Sequence, residues 1–188
     1  MLSNLNRNSV INNNSNNLIV PLGFCKIHDS VYRSSYPATK SLPFISTLGL
    51  KSIICLTPSE LKKELRDYCE KNSITIFEAN VGYNQEPFVL MSESAVSEAI
   101  HFALDLAQRP SLIFCTSGKV KTSCVVACLR KHSPSRWSTV SAIAGNTLFN
   151  TFCLLYIYFI LLEFEQFSDD GGLADLHFLD NFKCTICQ

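Results

Sequence analysis

Short apolar blocks alternate with amphipathic stretches along most of this chain, a pattern typical of strands followed by helices. Residues 52–56, Ser-Ile-Ile-Cys-Leu, end at a Thr-Pro pair, and their continuous apolar character predicts a strand buried on both faces. Further strands are predicted at residues 24–27, 31–34, 74–77 and 112–114. Helices are predicted at residues 42–48, 60–72, 92–108, 124–131 and 173–182.

Strands that alternate with helices at this spacing predict an α/β sandwich with a largely parallel central sheet flanked by helices. Ser92 or Ser94 is expected to cap the helix over 92–108. Residues 1–17 contain eight asparagines and little apolar surface, so we expect a disordered tail there. Residues 18–188 are long enough for one domain with its own core.

The last predicted strand runs directly into the stretch that carries the main candidate chemistry. A cysteine, Cys115, opens a short Ser/Gly/Lys loop, and the helix over 124–131 follows. A strand–loop–helix unit points backbone N–H groups and a helix N-terminus at an anion, beyond the carboxyl end of the sheet. The same positive field would favour the thiolate of Cys115 and make it a nucleophile. The predicted phosphate-binding residues are Thr116, Ser117, Gly118, Lys119 and Val120.

Charge and cysteine usage narrow the partners and the compartment. Lys+Arg and Asp+Glu each total 16, so no global field favours nucleic acid or an anionic membrane, and we expect neither as a partner. Several of the nine cysteines lie in apolar runs, and the N-terminus lacks an apolar signal core, which predicts a reducing, cytoplasmic location. Cys184 and Cys187 have metal-knuckle spacing without a second pair, so we expect no metal and no cofactor.

Several ordered motifs resemble one family, the plant and fungal atypical dual-specificity phosphatases of the cysteine-dependent protein tyrosine phosphatase superfamily. The matching stretches are residues 20–24, 31–37, 48–58, 84–89 and 125–131. Residues 137–140, Trp-Ser-Thr-Val, are similar to the yeast members linked to oxidant-induced cell-cycle arrest. The resemblance implies a protein tyrosine phosphatase-like sandwich. It also implies hydrolysis of phosphotyrosine-type substrates or inositol pyrophosphates through a phosphocysteine.

The family pattern His-Cys-x5-Arg-Thr is matched here only in part. Cys115, Gly118 and Thr122 fit it, whereas Phe114 stands for the histidine and Lys121 for the arginine. The resemblance implies Cys115 as nucleophile, Lys121 in the arginine's place and Thr122 as donor to the sulfur. Lysine supplies charge without the planar fork, so the swap is not conservative. His28 and Arg33 match structural parts of the family pattern and are assigned no chemistry.

The general acid and the degree of activity stay open at this point. The stretch over 78–89 offers Glu78 and Glu86, and Glu86, in the family-like Asn-x-Glu-Pro-Phe run, is the candidate acid. One hypothesis is a weak phosphatase; the alternative is a pseudophosphatase that binds a phosphorylated ligand without turnover. The implied partners are a phosphorylated small molecule or a phosphoprotein, and also related phosphatase-like proteins.

An apolar segment at about 145–161 interrupts the resemblance. No charged residue occurs between Arg136 and Glu163, and residues 152–162 are all apolar. A membrane span needs about 20 such residues, so a transmembrane helix and a buried helix are both open. The third interpretation is an insertion without a structural role, translated from a retained intron.

Overall fold

The structure, a computed structural model, describes residues 18–84, 88–132, 177–178 and 181–183. Within these ranges the chain forms a five-stranded sheet. The strands are β1 (Cys25–His28), β2 (Val31–Ser35), β3 (Ser52–Cys55), β4 (Thr75–Glu78) and β5 (Ser111–Cys115). Their order is β1-β2-β5-β3-β4; β1 pairs antiparallel with β2, and every other pair is parallel. The predicted α/β fold with a largely parallel sheet is confirmed.

In the described part of the chain, α1 (Leu42–Ser46), α2 (Lys63–Lys71) and α3 (Glu93–Leu104) lie between strands, and α4 (Val120–His132) follows β5. The helix predicted from residue 60 begins later, because a 3₁₀ turn occupies Pro58–Glu60. The helix predicted to reach residue 108 ends at Leu104, and a 3₁₀ turn over Leu106–Gln108 follows it. The Ser92 hydroxyl accepts from the Ala95 N–H at 3.3 Å, which confirms Ser92 as the cap of α3.

Helices cover both faces of the sheet and thereby bury its central strands completely. Every residue of β3 and β5 is buried, as the continuous apolar block over 52–56 predicts. Successive side chains point to opposite faces, so Ile53 packs with α1 and α2 whereas Ile54 packs with α3 and α4. The six cysteines of the described part are all buried free thiols.

The residues described near the C-terminus pack on α4. Phe178 and Phe182 are 2% and 1% exposed and belong to the core between α3, α4 and the sheet. The ring of His132 meets that of Phe182 edge-on at 5.2 Å, and His132 Nε2 lies 3.2 Å from the Phe182 carbonyl oxygen. Residues 177, 178 and 181 are helical, within the helix predicted over 173–182.

Several predictions fall on residues that the structure does not describe. These are the tail over 1–17, the apolar segment at about 145–161, Glu86, and the pair Cys184 and Cys187. In the described ranges, no helix has the length and apolar character that crossing a bilayer requires. The same ranges contain no group of three or more His, Cys, Asp or Glu side chains placed to hold a metal ion.

The packing of Phe182 predicts a large effect of its truncation. Phe182→Ala should lower the free energy of unfolding by about 3–5 kcal/mol, because it removes a fully buried ring and leaves a cavity. Urea unfolding measures this difference. Asn181→Ala is the matched control, since Asn181 is exposed and its side-chain amide donates to the His177 carbonyl. Equal stabilities of the two variants would contradict the buried position of Phe182.

The thiol of Cys69 predicts a loss of stability at alkaline pH. Burial on α2 raises the pKa of Cys69 from 9.0 to about 11, so between these values the unfolded chain releases a proton that the folded chain keeps. The free energy of unfolding should therefore fall as pH rises from 9 to 11, by about 2–3 kcal/mol from this group. Urea unfolding across this range should give Cys69→Ala a flatter profile than the wild type. Parallel profiles would rule this linkage out.

Candidate active site

The candidate nucleophile lies at the carboxyl end of the central strand of the sheet. Cys115 is the last residue of β5, between β2 and β3, and α4 begins five residues later at Val120. The Cys115 side chain is buried, and the Gly118 N–H donates to its sulfur at 3.2 Å. A backbone donor therefore points at the sulfur, as expected of a loop built to hold negative charge.

Gly118 brings the apex of the loop into direct contact with the end of β2. Its φ is +70°, in the left-handed region, and a Cβ here would lie 2.5 Å from the Ser35 nitrogen and 2.8 Å from the Ser34 carbonyl. Backbone atoms cannot yield to such a contact, so only glycine fits position 118. The Gly118 backbone is consequently held against the end of β2.

The other side of the loop is attached to the segment that follows β3. The Thr116 hydroxyl donates to the Glu60 carboxylate and lies 3.4 Å from the hydroxyl of Thr57. The Thr116 carbonyl accepts from the Tyr36 N–H at 3.2 Å. Ser117 and Thr116 are exposed, and the Ser117 hydroxyl accepts from the Lys119 N–H at 3.2 Å. The Ser117 hydroxyl is thus exposed to solvent, while the hydrogen bonds of Thr116 attach the loop to the neighbouring segments.

Two lysines, Lys119 and Lys121, lie in the loop and in the first turn of α4. Lys119 is exposed and Lys121 is half-buried, and neither ammonium forms an ion pair with the residues that the structure describes. The first turn of α4 contains no acidic residue. Two cations beside a helix N-terminus create a local site for an anion in a chain with no net charge.

Thr122 lies in the first turn of α4, shortly after the loop. It is completely buried, and its hydroxyl makes no hydrogen bond to any described residue, the Cys115 sulfur included. Such a group is unfavourable unless it gains a partner. The role of Thr122 as donor to the sulfur therefore stays a prediction.

Arg33 of β2 contacts the loop from below, and sequence reasoning assigned it no chemistry. Its side chain is 3% exposed, and its Nη2 donates to the Gly118 carbonyl at 2.7 Å and to the Ser123 hydroxyl at 2.9 Å. A sequence signal existed, because a charged residue inside a short strand next to the core must be paired. That signal does not reveal the partners, which lie far along the chain.

Of the two carboxylates considered as general acid, the structure describes Glu78. Glu78, the last residue of β4, is paired with Arg66 at 2.6 Å, and this pairing raises the pKa of Arg66. Glu86 lies outside the described residues, but both ends of its loop are described. The Asn84 side-chain oxygen accepts from the Leu90 and Met91 N–H groups at 2.9 and 2.7 Å. Asn84 thereby holds the backbone of Leu90 and Met91 close to its own position.

Comparisons with known proteins show which family this sequence is similar to. The sequence model of the tyrosine phosphatase family matches residues 18–153. Inositol diphosphatase DSP1 of Oryza sativa subsp. japonica is 38% identical over 169 residues, which cover 89% of this chain and 67% of that protein. The OCA6 protein of Saccharomyces cerevisiae is 30% identical, covering 90% of this chain and 73% of OCA6. This chain spans 56–67% of the length of five plant inositol diphosphatases that it matches.

A solved structure extends the likeness to the fold. The core catalytic domain of the PP-IP phosphatase SIW14 from S. cerevisiae, in complex with citrate, superposes with a TM-score of 0.71. The two share 25% identity, and the match covers 90% of each chain. This likeness confirms the predicted phosphatase-like sandwich. Because the family match covers most of its length, this chain belongs to the tyrosine phosphatase family.

Proposed function

We propose that this protein is a cysteine-dependent phosphatase that hydrolyses phosphoesters through a phosphocysteine, and does so weakly. The observation that carries the proposal is the hydrogen bond from the Gly118 N–H to the Cys115 sulfur, within a loop that connects β5 to α4. The names of the related plant inositol diphosphatases support inositol pyrophosphates as the substrate class. Phosphotyrosine-type esters are the second class.

The proposed reaction has two steps. In the first, the Cys115 thiolate attacks phosphorus, a P–S bond forms, the P–O bond to the leaving group breaks, and the leaving oxygen takes a proton from a general acid. In the second, water attacks phosphorus, the P–S bond breaks and the thiolate leaves. The group that gave its proton in the first step now takes a proton from the water. Inorganic phosphate is the product, and the enzyme returns to its starting state.

The loop residues have distinct roles in these steps. The backbone N–H groups over 116–120 and the N-terminus of α4 hold the phosphoryl oxygens. Lys119 and Lys121 add charge, with Lys121 in the position of the family's arginine. Thr122 donates to the sulfur as the thiolate leaves, which would give its buried hydroxyl a partner. Glu86 is the proposed general acid, two residues after Asn84, whose side-chain oxygen accepts from the Leu90 and Met91 N–H groups.

A second function is favoured by the residue at position 121. A single ammonium does not hold two oxygens of a phosphoryl group as a guanidinium does. Losing one well-placed donor to developing charge costs about 10²–10³ in rate. The alternative is therefore a pseudophosphatase, whose loop binds a phosphorylated small molecule, a phosphoprotein or a phosphorylated form of a related phosphatase-like protein. The free thiols support a reducing, cytoplasmic location for either function.

A comparison of two variants tests the catalytic proposal. Phosphate release from an inositol pyrophosphate and from a phosphotyrosine mimic should be slow for the wild type and absent for Cys115→Ser, which lacks the nucleophile. Lys121→Arg should be faster by about 10²-fold, because it restores the bidentate clamp. Release that persists in Cys115→Ser would come from a contaminant or another mechanism. A folded wild type and Lys121→Arg that both bind phosphate without turnover would favour the pseudophosphatase.

The choice of general acid has its own test, based on how the rate depends on the leaving group. Glu86→Gln should lower turnover of phosphotyrosine by about 10²-fold and that of p-nitrophenyl phosphate far less, because p-nitrophenolate is a good leaving group that needs no proton. Glu78→Gln is the matched control, since its carboxylate is paired with Arg66. Glu60→Gln tests the carboxylate bound to Thr116. A leaving-group effect in Glu60→Gln instead of Glu86→Gln would transfer the role to Glu60.

A further inference from the structure

Arg33 is a buried cation placed against the side of the loop that faces the sheet. It belongs to β2, which pairs in parallel with β5, so its guanidinium rises beside the strand that ends in Cys115. We infer that Arg33 is a positioning residue that holds the phosphate loop in its anion-binding shape from below. The inference rests on the proposed function, because it concerns the same loop.

The hydrogen bond to Gly118 sets the direction of a loop donor. The Gly118 carbonyl and the Lys119 N–H belong to one planar trans peptide, so they point in opposite directions. Arg33 draws the carbonyl towards the sheet at 2.7 Å. The Lys119 N–H consequently faces the open side of the loop, where it donates to the exposed Ser117 hydroxyl. A phosphoryl oxygen would meet this N–H on that side.

The second hydrogen bond connects the loop to the helix behind it. Arg33 Nη2 also donates to the hydroxyl of Ser123, in the first turn of α4, at 2.9 Å. One nitrogen thus joins the apex of the loop, the start of α4 and β2. The Gly118 N–H, on the other side of the same residue, points at the Cys115 sulfur. Both peptides that flank Gly118 are therefore oriented, one by Arg33 and one by the nucleophile.

Burial makes this contact strong and difficult to replace. Charge-assisted hydrogen bonds shielded from water are stronger than neutral ones, and a planar guanidinium fixes the angle between its acceptors. Both contacts come from Nη2. The side chain of lysine keeps the charge but is one atom shorter and ends in an ammonium instead of a planar NH₂ group, so it cannot reproduce this geometry. Because position 121 is a lysine, no guanidinium there would still hold the phosphoryl oxygens if the loop were distorted. Anion binding therefore depends more strongly on the loop shape that Arg33 maintains.

Tungstate binding tests the inference without requiring turnover. Arg33→Lys should raise the dissociation constant for tungstate about ten- to a hundredfold, the effect of losing one or two hydrogen bonds of a charged group. Arg130→Lys is the matched control: Arg130 is also buried, at 6% exposure, but lies ten residues beyond the start of α4, about 15 Å along the helix. Arg33→Lys and Arg130→Lys should both unfold more easily than the wild type, because each changes a buried cation. Arg130→Lys should nevertheless bind tungstate within twofold of the wild type.

Hydrogen exchange and a milder variant make the test independent of a folding defect. Ser123→Ala keeps the guanidinium and its hydrogen bond to the Gly118 carbonyl, so its affinity for tungstate should lie between those of the wild type and Arg33→Lys. Amide exchange over residues 116–120 should quicken in Arg33→Lys and not in Arg130→Lys.

The outcomes separate the two proposals. Unchanged tungstate affinity in both Arg33→Lys and Ser123→Ala, or an equal loss in Arg130→Lys, would overturn the role of Arg33 while leaving the phosphate site intact. A folded wild type that binds no tungstate would overturn the phosphate site, and the role of Arg33 with it.

Discussion

The contact between the apex of the phosphate loop and the end of β2 is the constraint on which the site depends. Position 118 has no room for a side chain, because the backbone of Ser34 and Ser35 is already there. The same strand pairs with β5, with Ser35 opposite Cys115. The sulfur and the loop donors are therefore positioned by one piece of backbone. A shift of β2 would move both together, which preserves the distance between nucleophile and donors.

Local patterns were sufficient for the elements whose neighbours in sequence are also their neighbours in space. The strand over 52–56 is buried on both faces because its residues are apolar throughout, and Ser92 caps α3 through a bond to a residue three positions away. The cysteine loop was found for the same reason, since the strand, loop and helix are contiguous. The boundary errors at Pro58–Glu60 and Leu106–Gln108 come from 3₁₀ turns, whose residues resemble those of a helical end.

The contacts that shape the loop were beyond local patterns. Arg33 lies 85 residues from Gly118 and 90 residues from Ser123, and Thr116 lies 56 residues from Glu60. These pairs meet only because β5 lies between β2 and β3, an order that periodicity does not encode. The position of the family's histidine shows the same limit. Phe114 there is completely buried with its ring edge-on to Tyr36 at 5.6 Å, so packing replaces a polar contact beside the nucleophile.

The packing of Phe182 also determines when during synthesis the domain can finish folding. Phe182 completes the core between α4, α3 and the sheet, although β2, β5 and the phosphate loop are all encoded earlier. A nascent chain that has exposed only residues 1–132 still lacks this ring and leaves apolar surface of α4 uncovered. Such intermediates are prone to association. The loop is therefore translated before the core that supports it is complete, and the domain closes only after residue 182 leaves the ribosome.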